Sequence, residues 1–338
     1  MKKNKILVTG GLGFIGSHTV VELQKEGFDV IIIDDLSNTR LEVLNGIEAI
    51  SKVKPEFVKM DLKEKDSVSS FFSNHEIDGV IHFAASKAVG ESVEQPLKYY
   101  ENNIATLVYL LKSMTENAVP HIIFSSSCTV YGQADELPIT ENAAVKKAES
   151  PYGNTKQIGE EIIQDTTKVK DLSAIALRYF NPIGAHESAL IGELPLGVPQ
   201  NLIPFVTQTA AGIREELSVF GDDYPTADGT AVRDYIHVVD LAKAHISALK
   251  RLLEGKNKTK MEFFNVGTGK GSSVLEVINA FEKVNQKKVK HKIVDRREGD
   301  ITSAYANTEL ANMELGWKAE LSLEEALASA WQWQLKHK

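Results

Sequence analysis

A short apolar strand leads directly into a glycine-rich turn and a helix at the start of the chain. The strand is predicted over Lys5–Thr9 and the helix over Phe14–Glu26, with glycines at Gly10, Gly13 and Gly16. Gly10 permits a tight turn, Gly13 lets the backbone approach a pyrophosphate, and Gly16 lets the helix and strand pack closely. The pattern therefore predicts a dinucleotide site with its phosphates at the helix N-terminus.

The alternation of strands and helices continues through the first 180 residues or so. Further strands are predicted at Asp29–Asp34, Phe57–Met60, Gly79–Phe83, His121–Ser125 and Ala174–Tyr179, and long helices at Pro96–Thr115 and Tyr152–Lys168. Such alternation is typical of a parallel sheet with right-handed crossovers and helices on both faces. The fold class predicted is α/β, a doubly wound sheet of the Rossmann type, which binds ligands beyond the carboxyl ends of its strands.

The composition of the sequence changes after Asn181, and the regular alternation of strands and helices ends there. Residues 182–233 are rich in glycine and proline, while Val238–Leu252 and Phe263–Val266 again resemble a helix and a buried strand of the first domain. We therefore predict a dinucleotide-binding domain over 1–181, with returning segments near 234–268. A smaller C-terminal α/β lobe of residues 182–233 and 269–338 is expected to bind the substrate.

Two acidic residues follow predicted strands. Asp34 ends the second strand, where a carboxylate accepts hydrogen bonds from the adenosine ribose hydroxyls. It also repels the 2′-phosphate of NADP, so NAD is the favoured cofactor. Asp61 follows the third strand and is placed to meet the adenine.

A tyrosine and a lysine stand four residues apart at the start of a predicted helix. Tyr152 and Lys156 therefore project from the same helix face. An ammonium group roughly 6 Å from the phenol, at an effective dielectric near 20, lowers the tyrosine pKa by about 2 units. We expect Tyr152 to act as the catalytic base with the help of Lys156 and the positive nicotinamide. Ser127, the last of three serines at the end of the strand His121–Ser125, is expected to relay the proton.

Composition limits the partners. The formal net charge is −8, which argues against nucleic acid and against a membrane surface. A single cysteine, Cys128, excludes an internal disulfide, and we expect a cytoplasmic location. There is no candidate signal peptide and no apolar run of about 18 residues or more. No metal site is predicted.

Together these residues resemble the UDP-glucose 4-epimerase family of the extended short-chain dehydrogenase/reductases, from Lys5 to about Lys336. Beyond the glycine turn, the stretches that carry the resemblance are residues 81–84, 87–92, 178–182, 221–226, 232–238 and 296–300. The resemblance implies a tightly held NAD, a UDP-sugar substrate and a homodimer. It also implies a reaction in which Tyr152 takes the sugar 4-OH proton while hydride leaves C4, and the 4-keto sugar then turns over.

The resemblance also implies positions for the ligand contacts. Besides Gly10, Gly13 and Gly16, the cofactor is expected to meet Phe14, Ile15, Asp34, Asp35, Leu36, Ser37, Asn38, Thr39, Asp61, Leu62, Phe83, Ala84, Ala85, Ser86, Lys87, Asn102, Ser127, Tyr152, Lys156 and Phe180. The UDP-sugar is expected to meet Lys87, Ser127, Tyr152, Asn181, Asn201, Leu202, Val219, Phe220, Arg233, Arg297, Asp300 and Ala304. The two arginines suit the diphosphate, because planar guanidinium groups bind it bidentately.

The sequence departs from the family pattern at two positions. Cys128 stands where a small residue, often alanine, is expected, and we interpret it as a packing residue. Ala304 stands where some members carry a bulky tyrosine, although the adjacent Tyr305 leaves a one-residue alignment shift open. A small residue there implies a pocket that also admits the N-acetyl group of UDP-GlcNAc and UDP-GalNAc.

Three other functions fit part of the pattern. A 4,6-dehydratase of nucleotide sugars needs an Asp-Glu pair where this chain has Cys128-Thr129. An epimerase of UDP-pentoses or UDP-uronates shares the core chemistry and stays open. A non-catalytic dinucleotide sensor on the same fold would commonly lack the tyrosine or the lysine, and both are present.

Overall fold

A seven-stranded parallel sheet forms the centre of the molecule, in a computed structural model that describes residues 3–297 and 300–337. Its strands are β1 (Lys5–Thr9), β2 (Asp29–Asp34), β3 (Glu56–Lys59), β4 (Gly79–His82), β5 (His121–Ser125), β6 (Ser173–Tyr179) and, later in the chain, β10 (Met261–Val266). Their order across the sheet is β10-β6-β5-β4-β1-β2-β3. The predicted α/β Rossmann class is confirmed.

The order of the strands creates the ligand crevice. From β1 the chain adds β2 and β3 on one side and then crosses to add β4, β5 and β6 on the other. The connection after β1 therefore runs to one side of the sheet and the connection after β4 runs to the other. A crevice opens between them at the carboxyl ends of β1 and β4. Thr9 and His82, the last residues of the two strands, are hydrogen-bonded through their side chains at 2.7 Å.

Helices cover both faces of the sheet. They are α1 (Phe14–Lys25), α2 (Val43–Ser51), α3 (Lys65–Asn74), α4 (Val89–Glu94), α5 (Pro96–Tyr100), α6 (Thr106–Glu116), α7 (Pro151–Val169) and α9 (Val238–Leu253). One apolar core joins α1, α2 and α9 to the sheet, and a second joins α3, α6 and α7 to the opposite face. The strands are largely buried on both sides, as their continuous apolar sequences predict, except the edge strand β3, which is partly exposed.

The predicted helix Pro96–Thr115 contains a π-helical turn. Residues Glu101–Ala105 form this turn between α5 and α6. The wider turn supports Asn103, whose amide group bonds both the main-chain N–H and the carbonyl of Ser86 at 2.8 and 3.0 Å. Such turns are common at functional sites, and this one fixes the loop after β4.

A second lobe packs beyond the carboxyl ends of the main sheet. It contains β7 (Asn181–Ile183), α8 (Leu202–Ala210), β8 (Leu217–Phe220), β9 (Val232–His237), β11 (Gly271–Ser273), α10 (Val274–Asn285), β12 (His291–Val294), β13 (Ser303–Ala304), α11 (Glu309–Leu315) and α12 (Leu323–Lys336). Its core lies between α8, α10 and α12. Capping boxes begin α10 at Ser273 and α12 at Ser322.

The predicted domain boundaries stay a prediction, and one segment crosses them. Ala311 of α11 and Trp317 belong to the core of the sheet domain rather than to that of the second lobe. The Trp317 indole N–H donates to the carbonyl of Asp240 at 2.9 Å, at the start of α9. The described helices include none that is long and apolar enough to span a membrane.

Candidate active site

The glycine turn after β1 has the geometry that its sequence predicts. Gly10 has a φ of +67°, which favours glycine. A Cβ atom on Gly16 would lie 2.2 Å from the Gly10 carbonyl oxygen, so the close approach of α1 to the turn requires glycine there. A Cβ atom on Gly13 would meet only that same oxygen, at 3.2 Å. The face of Gly13 is therefore bare backbone at the N-terminus of α1, which suits a pyrophosphate.

Asp34 connects the ends of β1 and β2. Its carboxylate accepts hydrogen bonds from the main-chain N–H groups of Leu12 and Leu36 at 3.1 and 3.0 Å. The Thr39 hydroxyl donates to the Leu12 carbonyl at 2.7 Å and closes the loop. Burial raises the pKa of Asp34, although both N–H bonds act against this change. The loop thus holds the Asp34 carboxylate in a fixed orientation at the end of β2, and its contact with the adenosine ribose stays a prediction.

The remaining candidate cofactor residues lie on the loops after β1 to β5 and on neighbouring segments. Phe14, Ile15 and the stretch from Asp35 to Asn38 are half-buried or exposed around the crevice, and Asp61 is half-buried after β3. Leu62 is different, because its side chain lies in the core and leaves only its main chain for a ligand. After β4, Ala84 and Ala85 lead to Ser86, whose hydroxyl accepts a bond from the Asn102 amide at 3.3 Å.

Tyr152, Lys156 and Ser127 meet at the carboxyl end of β5. Ser150 caps α7 by accepting from the Gly153 N–H, which places Tyr152 in the first helical turn. The Lys156 Nζ donates to the carbonyl of Ser125 at 2.7 Å and lies 5.8 Å from the centroid of the Tyr152 ring. The Ser127 side chain is close enough to Tyr152 to act on the pKa of its phenol. These three predicted catalytic side chains are all buried.

The predicted lowering of the Tyr152 pKa by Lys156 is wrong for the protein alone. Burial raises the pKa of Tyr152 well above its usual range, and the nearby Tyr179 adds to the effect. The Ser127 side chain lowers this pKa, but its effect is smaller. Burial also lowers the pKa of Lys156 to about 8. The sequence argument counted the attraction between the two groups and left out the cost of removing each charged form from water.

The second lobe brings two arginines and an aspartate together. The Arg297 guanidinium donates to the Asp300 carboxylate at 2.9 Å, and Arg233 lies 3.6 Å from the same oxygen. The Phe220 ring lies 5.5 Å below the Arg297 guanidinium. The Arg233 charge also acts on the thiol of Cys128, directly after Ser127. The predicted diphosphate ligands therefore stand near the catalytic turn, by which we mean Ser127 and the short 3₁₀ turn Cys128–Tyr131 that follows it. The motif that contains Arg297 includes residues 298 and 299, which lie outside the described residues.

Asn201 and Lys87 are brought together by Glu193, which the sequence analysis did not single out. One carboxylate oxygen of Glu193 accepts from Asn201 at 2.6 Å and from Lys87 at 3.1 Å. The Trp333 indole N–H donates to the Glu193 carbonyl at 2.8 Å and anchors it. No local motif marks Glu193, because its role depends on a loop that packs against α12.

The other predicted substrate residues differ in how far their side chains are exposed. Val219 is buried in the core of the second lobe, whereas its neighbour Phe220 is exposed. Asn181 lies in β7, which pairs with β9, and Leu202 begins α8. All four positions stay predictions, and only the buried Val219 is limited to main-chain contacts with a ligand.

Ala304 is buried against the catalytic turn. It pairs with Arg233 between β13 and β9 and shares an apolar cluster with Phe180 and Tyr131. Cys128 packs on the same cluster, and burial raises the pKa of its thiol to about 12. This supports the interpretation of Cys128 as a packing residue, because a thiolate is the reactive form.

The family model for GDP-mannose 4,6 dehydratases matches residues 7–330. A UDP-glucose 4-epimerase of Bacillus subtilis is 51% identical over 330 residues, which cover 97% of this chain and 96% of that protein. The chain belongs to the UDP-glucose 4-epimerase family. This family lies within the extended short-chain dehydrogenase/reductases, as the sequence resemblance indicates.

Solved structures agree with this family assignment. A UDP-glucose 4-epimerase from Stenotrophomonas maltophila, with bound NAD and formylated UDP-arabinopyranose, is 46% identical with a TM-score of 0.95 and covers 99% of both chains. One from Bifidobacterium longum, in complex with NAD+ and UDP, is 46% identical with a TM-score of 0.94 and covers 98% of both chains. The TM-scores show that the epimerase fold extends over both lobes of this chain.

Proposed function

We propose that this protein interconverts UDP-glucose and UDP-galactose by epimerising C4 of the hexose, with NAD as a resident cofactor. The observation that carries the proposal is the meeting of Ser127, Tyr152 and Lys156 at the end of β5, beside the glycine turn of β1. The site residues fit NAD, because the turn leaves bare backbone at Gly13 and Asp34 stands at the end of the neighbouring strand, β2. When bound, NAD supplies the acceptor for the C4 hydride.

The chain's own residues would manage the proton and the orientation of the sugar. Tyr152 takes the 4-OH proton, directly or through Ser127, and returns it after the 4-keto sugar has turned over. The positive charge of Lys156 lies 5.8 Å from the centroid of the Tyr152 ring. The raised pKa of Tyr152 means that burial keeps this proton on the phenol until a nearby positive charge favours its loss. The acid–base pair thus responds to the charge of its surroundings.

The distribution of charged groups suits a substrate held by one end. Arg233 and Arg297 lie together in the second lobe, where they would bind the diphosphate with charge-assisted bonds. Beside the catalytic hydroxyls, Ala304 and Phe180 contribute to one buried apolar cluster. A hexose with few directional contacts is free to present either face to the cofactor, while its UDP end stays bound.

The substrate range extends, in our proposal, to UDP-GlcNAc and UDP-GalNAc. The support is the small size of the Ala304 side chain, which packs in the same cluster as Phe180 and Cys128. UDP-pentoses form the second candidate class, because the S. maltophila relative was crystallised with a formylated UDP-arabinopyranose. UDP-uronates have weaker support, because MoeE5, a structure in complex with UDP-glucuronic acid and NAD, is only 27% identical with a TM-score of 0.82. No similar observation favours a non-catalytic sensor.

We also propose a homodimer, with α6 and α7 packing against their counterparts in a four-helix bundle. Exposed apolar side chains on the neighbouring segment support this arrangement, since Leu97 is 80% and Val93 is 63% exposed in the single chain. Light scattering during size-exclusion chromatography measures the mass, and Leu97→Glu is expected to yield monomers. A wild-type monomer at micromolar concentration would contradict the proposal. A cytoplasmic location is proposed because the single Cys128 has no disulfide partner in the sequence.

The decisive assay supplies UDP-galactose to the purified protein without added NAD. UDP-glucose formation, followed with a coupled dehydrogenase, is the expected result, and it also shows that the cofactor is carried on the protein. UDP-GalNAc, UDP-pentoses and UDP-uronates run in parallel with chromatographic detection. The absence of conversion of UDP-galactose after NAD is supplied would refute the proposed function. Turnover of a pentose substrate alone would favour the second candidate.

A further inference from the structure

A buried ion pair lies one helical turn beyond Lys156. Glu160 is four residues further along α7, so its side chain projects from the same helix face. Its carboxylate accepts two bonds from Arg178 of β6, from Nε at 2.9 Å and from Nη2 at 2.6 Å. Both side chains are almost fully buried, with exposed fractions of 7% and 6%. The proposed chemistry assigns no role to this pair.

The pair also reaches the strand that carries Ser127. The Ser126 hydroxyl donates to Glu160 at 2.6 Å, and the preceding carbonyl, of Ser125, accepts from Lys156 at 2.7 Å. Two successive residues of the strand end are therefore attached to two successive turns of α7. The residue that follows them is Ser127, whose side chain acts on the pKa of Tyr152. A shift of α7 relative to β5 would separate the proposed proton relay from the base.

We propose that Glu160 is a positioning residue for the epimerase reaction, because it holds Lys156 and the Ser125–Ser127 strand end in their reacting geometry. This inference rests on the proposed function. Glu160 touches neither of the reacting groups and acts through Ser126 and through its charge.

The charge balance supports this role. Lys156 and Arg178 are two buried cations, and Glu160 is the anion that lies between them along the helix and strand. Burial lowers the pKa of Lys156 to about 8, while the Glu160 charge acts in the opposite direction. Arg178 is in turn held by the Tyr131 hydroxyl at 3.0 Å and stacks on Phe263 at 4.5 Å. Arg178 thus holds Glu160 in place from the side away from Lys156, so the position of Glu160 does not depend on Lys156.

The test compares Glu160→Gln with a matched buried pair elsewhere in the protein. Arg251 binds Glu262 through Nε at 2.7 Å and Nη2 at 3.0 Å, and both side chains are equally buried. This pair joins α9 to β10, away from the catalytic turn. Glu262→Gln therefore reproduces the loss of a buried carboxylate and leaves the site intact. Thermal unfolding and bound NAD content are measured for each variant.

We expect Glu160→Gln to lower kcat for UDP-galactose about tenfold or more, a part of the roughly 10²–10⁴-fold that acid–base groups contribute. Its KM should stay within about threefold, because the UDP contacts lie in the other lobe. Glu262→Gln should keep kcat within about twofold at a similar loss of thermal stability. Glu160→Asp is expected to recover part of kcat, because it restores the charge. Equal kcat values for Glu160→Gln and Glu262→Gln would overturn the inference.

A second variant keeps the test decisive when Glu160→Gln fails to fold. Ser126→Ala removes only the link between Glu160 and the strand end and leaves the ion pair with Arg178. It is expected to melt like the wild type and to lose several-fold in kcat. A wild-type kcat in Ser126→Ala would refute the positioning role. Inactive wild-type protein in the same assay would instead mark the failure of the proposed function.

Discussion

His245 offers a quantitative test of how the buried core responds to acid. It lies in α9, fully buried, with Nδ1 hydrogen-bonded to the Leu241 carbonyl at 2.8 Å. Its Nε2 is buried without a partner among the described residues. Rings of Phe83 and Tyr179 surround it at 4.7 and 6.2 Å between centroids. Burial therefore lowers the pKa of His245 to about 4.

The sign and size of the effect follow from proton linkage. In the unfolded chain a histidine binds a proton below about pH 6.5, whereas folded His245 binds one only below about 4. Between these values the unfolded state holds more protons, so stability falls as the pH falls. At pH 5, about 1.5 units below the pKa of the unfolded histidine, folding has lost roughly 2 kcal/mol of stability through this group.

The substitution His245→Leu removes this proton-binding group and keeps an apolar side chain in the site. We expect the free energy of unfolding to depend less on pH in the variant. Between pH 7.5 and pH 5.0 the variant should lose roughly 2 kcal/mol less than the wild type, as measured by urea titration at both values. Substitution of the exposed His291 by Gln is the control. An unchanged difference between the two pH values in His245→Leu would refute the reasoning.

Three further predictions concern the site. Tyr152→Phe should lower kcat by about 10²–10⁴-fold, with thermal stability retained, and a smaller loss in steady-state assays would remove Tyr152 as the base. Ala304→Tyr should reduce activity on UDP-GalNAc far more than on UDP-galactose, and it should cost about 1–3 kcal/mol of stability through overpacking; equal losses on both sugars would contradict the pocket argument. Gly16→Ala should unfold at a lower temperature than Gly13→Ala, because its Cβ meets the Gly10 carbonyl oxygen at 2.2 Å rather than 3.2 Å; melting at the same temperature would argue against the close packing of α1.

Local sequence patterns were sufficient to predict most of the strands of the main sheet. The bounds of β1, β2 and β5 agree with those predicted from apolar runs, and α7 begins one residue before the predicted helix. Such elements are short-range, since each strand is marked by a continuous apolar run and each helix by its own periodicity. The π-helical turn at Glu101–Ala105 was not predicted, because nothing in its local composition distinguishes it from an ordinary helix.

The residues of the site also fall into those that the sequence predicted and those that it did not. The glycine turn, Asp34 and the Tyr152–Lys156 spacing are local features of a known pattern, so the sequence pointed to them. Glu193 and Glu160 were missed, because each acts through partners distant in sequence. Glu193 joins Lys87 and Asn201, which are separated from it by 106 and 8 positions. Glu160 binds Arg178 across the boundary between a helix and a strand.

The sequence by itself determined the fold class, the cofactor turn and the chemical type of the base, because these depend on residue spacing and on conformational preference within short segments. Only the tertiary structure decided the protonation tendencies of that base. The pKa of Tyr152 is raised and that of Lys156 is lowered because both side chains are removed from water when α7 packs against the sheet. Burial is a property of the whole packed molecule, and no local spacing encodes it.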